Sequence, residues 1–411
     1  MFLKKLTYKY NLTELLLLLI SFLIPLEKTT MRIAIVVIAI LTLIKSNYKV
    51  LSKKNNWIKL TCTLLWIFPF LQLLILNELN IHWSHLETKL SLLLFPIIIL
   101  LGSELKKDFI YELLRIFIIG CSFSIVICLI HSSYNLIVYK DLNYFFYKKL
   151  SFLHHPGYYA MYLNFAIGLI YLNMISSDSK LKIKNKWSWT LIIAFTLFIV
   201  LISSRTGWIS NLIINCIFIV ILIKMKFFNR KHLIAGFVML FAFGGIMNLS
   251  TSLKNRFNEL IKHTIYAKEQ SSYPSSTSTR IKAWESSVEL IQKNWLFGLG
   301  TGRGVVELNK TYDSKEYFSL KKKNTNTHNQ FLQYLLDHGL IGFILLLFFT
   351  IVLFILSFKD KHYQYALLIF ILIINFMTES ILETQSGIVF FALFNTLFFF
   401  QLIDKKTLLV D

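Results

Sequence analysis

The chain has 411 residues, 55% of them hydrophobic and only 16% charged, and carries a net charge of +21. Its mean hydropathy is +0.60, and a soluble chain of this length would hold far more charge, so a soluble globular domain is excluded. No Walker A sequence is present, which argues against ATP hydrolysis, and no His/Cys/Asp cluster has metal spacing.

Twelve apolar runs follow one another at 10–27, 31–46, 57–77, 86–102, 110–132, 157–176, 187–203, 206–224, 232–249, 339–357, 362–377 and 385–403. Most match the thickness of a bilayer core, and none alternates with period two, so they read as membrane-spanning helices rather than barrel strands. The fold expected is therefore an all-α integral membrane protein of about 12 transmembrane helices. It divides into a membrane domain over 1–249, a large outer loop over 250–327, and a final part over 328–411 that packs with the rest as one unit. The first run resembles a signal peptide but no small-residue cleavage site follows Leu26, so it reads as an uncleaved span.

Basic residues set the orientation. With Lys4, Lys5 and Lys9 inside, the alternate segments are basic: Lys45–Lys54, Lys106 and Lys107, Lys180–Lys186, Lys224–Lys231, Lys359 and Lys361, Lys405 and Lys406. The opposite segments 77–87 and 378–385 hold no Lys or Arg, so both termini are expected inside. Segments 133–156 and 250–327 are the basic exceptions. Cys62, Cys121, Cys128 and Cys216 lie far apart within apolar runs and read as small core residues.

Four features carry the chemistry, in chain order. His154 and His155 open the sixth run, and Arg205 lies in the short outer link SSRTGW. An Arg there can snorkel, or its fork of donors can bind a pyrophosphate. In the large loop, Ser271–Thr279 is a turn-rich linker, and Arg280 opens a helix whose Ile281, Trp284, Val288, Ile291 and Trp295 share one face. That amphipathic helix suits a membrane surface or the side of the bundle. It runs into Gly298, Gly300, Gly302 and Gly304 beside Arg303, which form either a flexible turn or a phosphate-cradling nest.

The fourth feature is THNQFLQYLLDHGLIG, in which His328 and Asn329 precede Gly339 and Gly342. His328 is expected at a helix N-terminus capped by Asn326 or Thr327, where a neutral imidazole can accept a proton. Gly339 reads as a break before the tenth span, and His338 as a C-terminal capping residue. Glu379 and Glu383 in the last outer loop, with His154 and His155, are candidates to line an acceptor cleft.

This arrangement resembles the O-antigen ligase and O-antigen polymerase superfamily. His328, Asn329, Gly339 and Gly342 are similar to its ligase signature; Arg280, Trp284 and Gly298–Gly302 resemble its loop signature; Arg205 matches its short-link Arg. One departure is Trp295, where family loops often carry Pro. The resemblance implies a metal-independent, cofactor-free glycosyltransferase of the bacterial inner membrane with its site facing the periplasm. The donor would be a glycan on undecaprenyl pyrophosphate and the acceptor lipid A–core, another glycan or a protein, with no nucleic-acid partner and the prenyl tail among membrane lipids. Arg205 and Arg280 would stabilise the pyrophosphate and His328 would take or orient the acceptor's proton. Asn329, Trp284, Arg303, His154, His155, Glu379 and Glu383 would contact substrate. A lipid-linked glycan transporter is the alternative of another class.

Overall fold

The computed structural model describes residues 10–27, 29–45, 48–102, 105, 108–176, 180–226 and 276–407. The ninth apolar run, the loop residues up to 275 and the linker Ser271–Pro274 lie outside the described residues. Those described contain helices and no strand. Helix starts follow local chemistry: Asn11 caps the first helix in a capping box, its Oδ1 accepting from Glu14 N at 2.8 Å while Asn11 N donates to Glu14 Oε2 at 3.0 Å.

Each of the other eleven apolar runs coincides with a helix or a merged helix. Six are long and apolar enough to cross a membrane: Asn55–Ile75, Phe109–Tyr139, Pro156–Ile175, Arg205–Lys224, Gln330–Lys359 and Gln385–Lys405. A seventh is the pair Ile81–Lys89 and Ser91–Leu101, bent by 41°. Leu12–Leu23, Thr29–Ile44, Asn185–Leu201 and Tyr363–Phe376 are apolar but shorter, so the described helices bear on a span count of six or seven by length, not on all twelve.

The chain divides into two compact units. One comprises the described residues of 1–34 and 106–268, the other those of 35–105 and 269–411. In the first unit, α1 (Leu12–Leu23) packs along α2 (Phe109–Tyr139), and α3 (Pro156–Ile175) is the buried centre against α4 (Asn185–Leu201) and α5 (Arg205–Lys224). Side-chain hydrogen bonds join α3 to α5, from Tyr171 Oη to Asn215 Oδ1 (2.7 Å) and from Asn211 Nδ2 to Asn164 Oδ1 (3.0 Å). Apolar packing alone gives little drive to join helices in lipid, and such bonds add to it.

The second unit centres on α6 (Gln385–Thr407), packed by α7 (Ser91–Leu101), α8 (Lys54–Leu60) and α9 (Tyr363–Phe376). Beside it stand α10 (Leu64–Ile75), α11 (Leu79–Lys89) and α12 (Gln330–Leu347). The large loop contributes α13 (Ser276–Lys293) and α14 (Arg303–Ser314), which close a small core of Ala283, Ile291, Leu308, Tyr312, Leu320 and Leu336 onto α12.

Two expectations change here. Helix α13 begins at Ser276 rather than Arg280 and ends at Lys293, so Trp295 is not on it. Its packed face is Ala283, Ser286, Ser287 and Ile291, whereas Ile281 and Val288 are 45% and 43% exposed. Small residues let α13 approach α12 closely, and the serine hydroxyls are satisfied by carbonyls four residues back. Among the cysteines, Cys62, Cys121 and Cys128 are buried, but Cys216 is exposed.

Orientation is open to measurement. In a Cys216→Ala background, a cysteine at Lys310 should react with an impermeant maleimide from outside intact spheroplasts, and one at Lys184 only after permeabilisation. Labelling of both from one side would overturn the charge-based topology.

Candidate functional site

The second unit brings three polar side chains to one point. Arg280 Nη2 lies 2.6 Å from Glu379 Oε1, and His328 Nδ1 lies 3.0 Å from Glu379 Oε2. A carboxylate only accepts, so the ring proton sits on Nδ1 and Nε2 of a neutral His328 is left as a proton acceptor. The side chains are partly open: Arg280 is 23%, Glu379 14% and His328 35% exposed.

Each member is held by local structure. Arg280 is in the second turn of α13, so it does not open the helix against the dipole; the Glu379 carboxylate meets its charge instead. His328 stands just before α12 in a left-handed conformation (φ 47°), its N–H accepted by Asn326 Oδ1 at 3.0 Å. The cap of α12 is Asn329, not Asn326 or Thr327: its Oδ1 accepts from the N–H groups of Phe331 and Leu332. Asn329 Nδ2 also donates to Met377 O at 3.3 Å, and Trp284 Nε1 to Thr327 O at 2.8 Å. These two bonds tie the His328 turn to the Glu379 loop and to α13.

Behind the cluster lies a polar layer of which sequence reading named only Glu383. Lys89 Nζ, only 1% exposed, pairs with Glu383 Oε1 at 2.8 Å, and Gln330 accepts Leu382 N at 2.6 Å. Asp337, buried in α12, accepts from Gly304 N (3.0 Å) and Gln333 Nε2 (2.7 Å). A signal existed: Lys89 is a charge set inside the apolar run 86–102, which is rare without a purpose.

His338 is not a surface cap. It is fully buried, with Nδ1 2.8 Å from Gln72 Oε1 and its ring edge-on to Tyr334 and Phe68. Gln72 is satisfied on all sides, also accepting from Thr301 and donating to Phe297 O and Asp337 O. The helix does break at Gly339 (φ 62°, ψ −163°), a region open only to glycine; an added Cβ would sit 2.3 Å from Leu296 O. At Gly342 a Cβ would meet the His338 side chain at 2.2 Å.

The glycine turn is not a nest. Its N–H groups point at protein: Gly298 to Asn294 O, Leu299 to Leu336 O, Gly300 to Asp337 O, and Gly304 to Asp337 Oδ1. Arg303 begins α14 and pairs with Glu78 Oε1 at 3.2 Å. Trp284, with Ile281, Glu285, Val288, Glu289 and Gln292, lines a shallow groove of about 460 Å³ on α13.

The remaining candidates belong to the first unit. Arg205 is the first residue of α5, half-buried, behind Ser204, whose Oγ accepts Gly207 N at 3.2 Å. Asn164 Nδ2 donates to Gly207 O at 3.1 Å and secures this turn to α3. His154 is buried edge-on to Tyr162, and the exposed His155 is the N-cap of α3.

Comparison with known proteins gives two matches. Residues 189–347 match the family model described as O-antigen ligase, a stretch that holds Arg205, Arg280, His328 and Asn329. The chain is also 24% identical over 202 residues to an uncharacterised protein of Haemophilus influenzae, which covers 46% of this chain. It spans 50% of the length of that curated relative.

The polar layer makes a stability prediction. Lys89→Met or Glu383→Gln alone should cost about 3–5 kcal/mol by leaving a buried charge unpaired. The double variant should recover much of the loss in thermal unfolding; simple additivity would show the pair is not coupled. Gly339→Ala should cost more than about 3 kcal/mol, from backbone strain and the clash together.

Proposed function

We propose, from the premise that this chain belongs to the O-antigen ligase superfamily through residues 189–347, that it is a polysaccharide ligase. It would move a glycan from undecaprenyl pyrophosphate to lipid A–core on the periplasmic side of the inner membrane, with both termini cytoplasmic. The observation that supports this most is the sharing of Glu379 by Arg280 and His328.

The chemistry follows from that sharing. Glu379 holds His328 by Nδ1–H, which leaves Nε2 to take the proton of an acceptor hydroxyl as its oxygen attacks the anomeric carbon. The bond from that carbon to the pyrophosphate oxygen breaks, and the departing lipid pyrophosphate carries the electron pair. Arg280 uses one of its donors on Glu379 and keeps others for an anion; Arg205, in the other unit, keeps only the anion-binding role its sequence context suggests. Trp284 and Asn329 act as positioning residues through their bonds to Thr327 O and Met377 O. Arg303 and Glu383 remain assigned to substrate contact. The donor needs no activation beyond its pyrophosphate leaving group, so neither metal nor cofactor enters the scheme.

The lipopolysaccharide ladder of a deletion strain distinguishes this reading from its relatives. Loss of all long chains with lipid-linked glycan accumulating is expected. A single repeat left on the core would mean a polymerase, an unchanged ladder with lost glycoproteins a protein glycosyltransferase, and donor trapped on the cytoplasmic face a transporter.

Point variants test the roles. His328→Ala should lower transfer about 10²–10⁴-fold at normal expression, and Arg280→Ala about 10²–10³-fold, with poor rescue by Lys. Glu379→Gln should lower the rate while donor binding persists. Normal transfer by His328→Ala would overturn its assignment as base.

A further inference from the structure

We propose that Trp295, Leu296 and Phe297 form a membrane-inserted turn, by which the large loop contacts bilayer lipid at the boundary of headgroups and acyl chains. The three side chains are 55%, 38% and 67% exposed and follow directly on a polar helix. A loop tip in water gains nothing from three consecutive large apolar residues. The inference does not depend on the glycosyl-transfer reading.

Depth is set by what holds the turn. Phe297 O accepts from Gln72 Nε2 at 2.9 Å, Trp295 O accepts from Leu340 N at 2.8 Å, and Thr301 Oγ1 donates to Pro69 O at 3.2 Å. Pro69 and Gln72 lie inside the candidate span Asn55–Ile75, and Leu340 inside Gln330–Lys359. At a rise of about 1.5 Å per residue they lie roughly 5–9 Å from the end of the first span. The turn therefore sits below the rim of two spans, at the depth where amphipathic segments bury their apolar faces.

The backbone meets part of the demand that lipid makes. Irregular backbone at membrane depth needs its polar groups satisfied by protein. Here the carbonyls of Trp295 and Phe297 and the N–H groups of Gly298, Leu299 and Gly300 are all paired with other residues. What the turn leaves outward is apolar, and the same helices expose Leu71, Leu74 and Ile75 on one side and Ile341 and Ile344 on the other. Lys293, 69% exposed, ends α13 just before the turn, where its ammonium can reach the phosphate level. Lipid is the partner that matches exposed apolar side chains and continuity with spans.

A spin label reads the environment directly. Phe297→Cys in a Cys216→Ala background would be labelled in nanodiscs of phosphatidylethanolamine and phosphatidylglycerol, beside Ile75→Cys as lipid control and Lys310→Cys as water control. The Phe297 label should collide readily with oxygen and poorly with a water-soluble nickel chelate, as at Ile75. Nickel access like that at Lys310 would overturn the proposal, and so would shielding from both, which would mean a second protein covers the turn. Should the cysteine variant misfold, quenching by brominated lipid offers the second arm: Trp295→Phe should remove part of the quenchable tryptophan emission. Unchanged quenching would count against insertion.

Discussion

Glu379 is the residue on which this arrangement turns, because one carboxylate meets two partners from distant parts of the chain. Arg280 comes from the large loop and His328 from the approach to α12, and both end on its two oxygens. Two basic groups brought this close would repel when the imidazole is protonated; a carboxylate between them removes that cost and fixes the ring by its Nδ1 proton. The loop is thereby attached to the bundle at the point where its chemistry is assigned.

A second constraint lies one layer deeper. Membrane helices can carry polar groups only if these are answered by protein. Gln72 answers four at once, from His338, Thr301, Phe297 and Asp337, and so holds α10, the glycine turn and the kink of α12 together. Lys89 and Glu383 do the same for the loop that carries Glu379. The two glycines of the signature run follow from this packing: one lets the chain break at the turn, the other makes room for the buried imidazole of His338.

The loop helix illustrates how membrane proteins invert a familiar rule. In water the apolar face of α13 would be expected inward, yet Ala283, Ser286 and Ser287 pack beside Ile291 while Ile281 and Val288 remain outward. Without a hydrophobic drive between helices, close approach matters more than apolar area. The outward Ile281 and Val288 then border the groove with Trp284, and the turn beyond them carries the exposed Trp295 and Phe297.

The sequence by itself determined the helical membrane class, the positions of eleven described helices, the break at Gly339 and the residue types of the site. These follow from period, run length and glycine's backbone freedom, all local properties. Tertiary structure decided the rest. That Asn329 rather than Thr327 caps α12, that Glu379 joins Arg280 to His328, and that Lys89 pairs with Glu383 are pairings between 51 and 294 residues apart or choices among neighbouring caps. Spacing along a chain carries no information on such pairings. His338 shows the reason most plainly: from its place before a glycine it reads as a surface cap, and only a glutamine 266 residues away makes it a core residue.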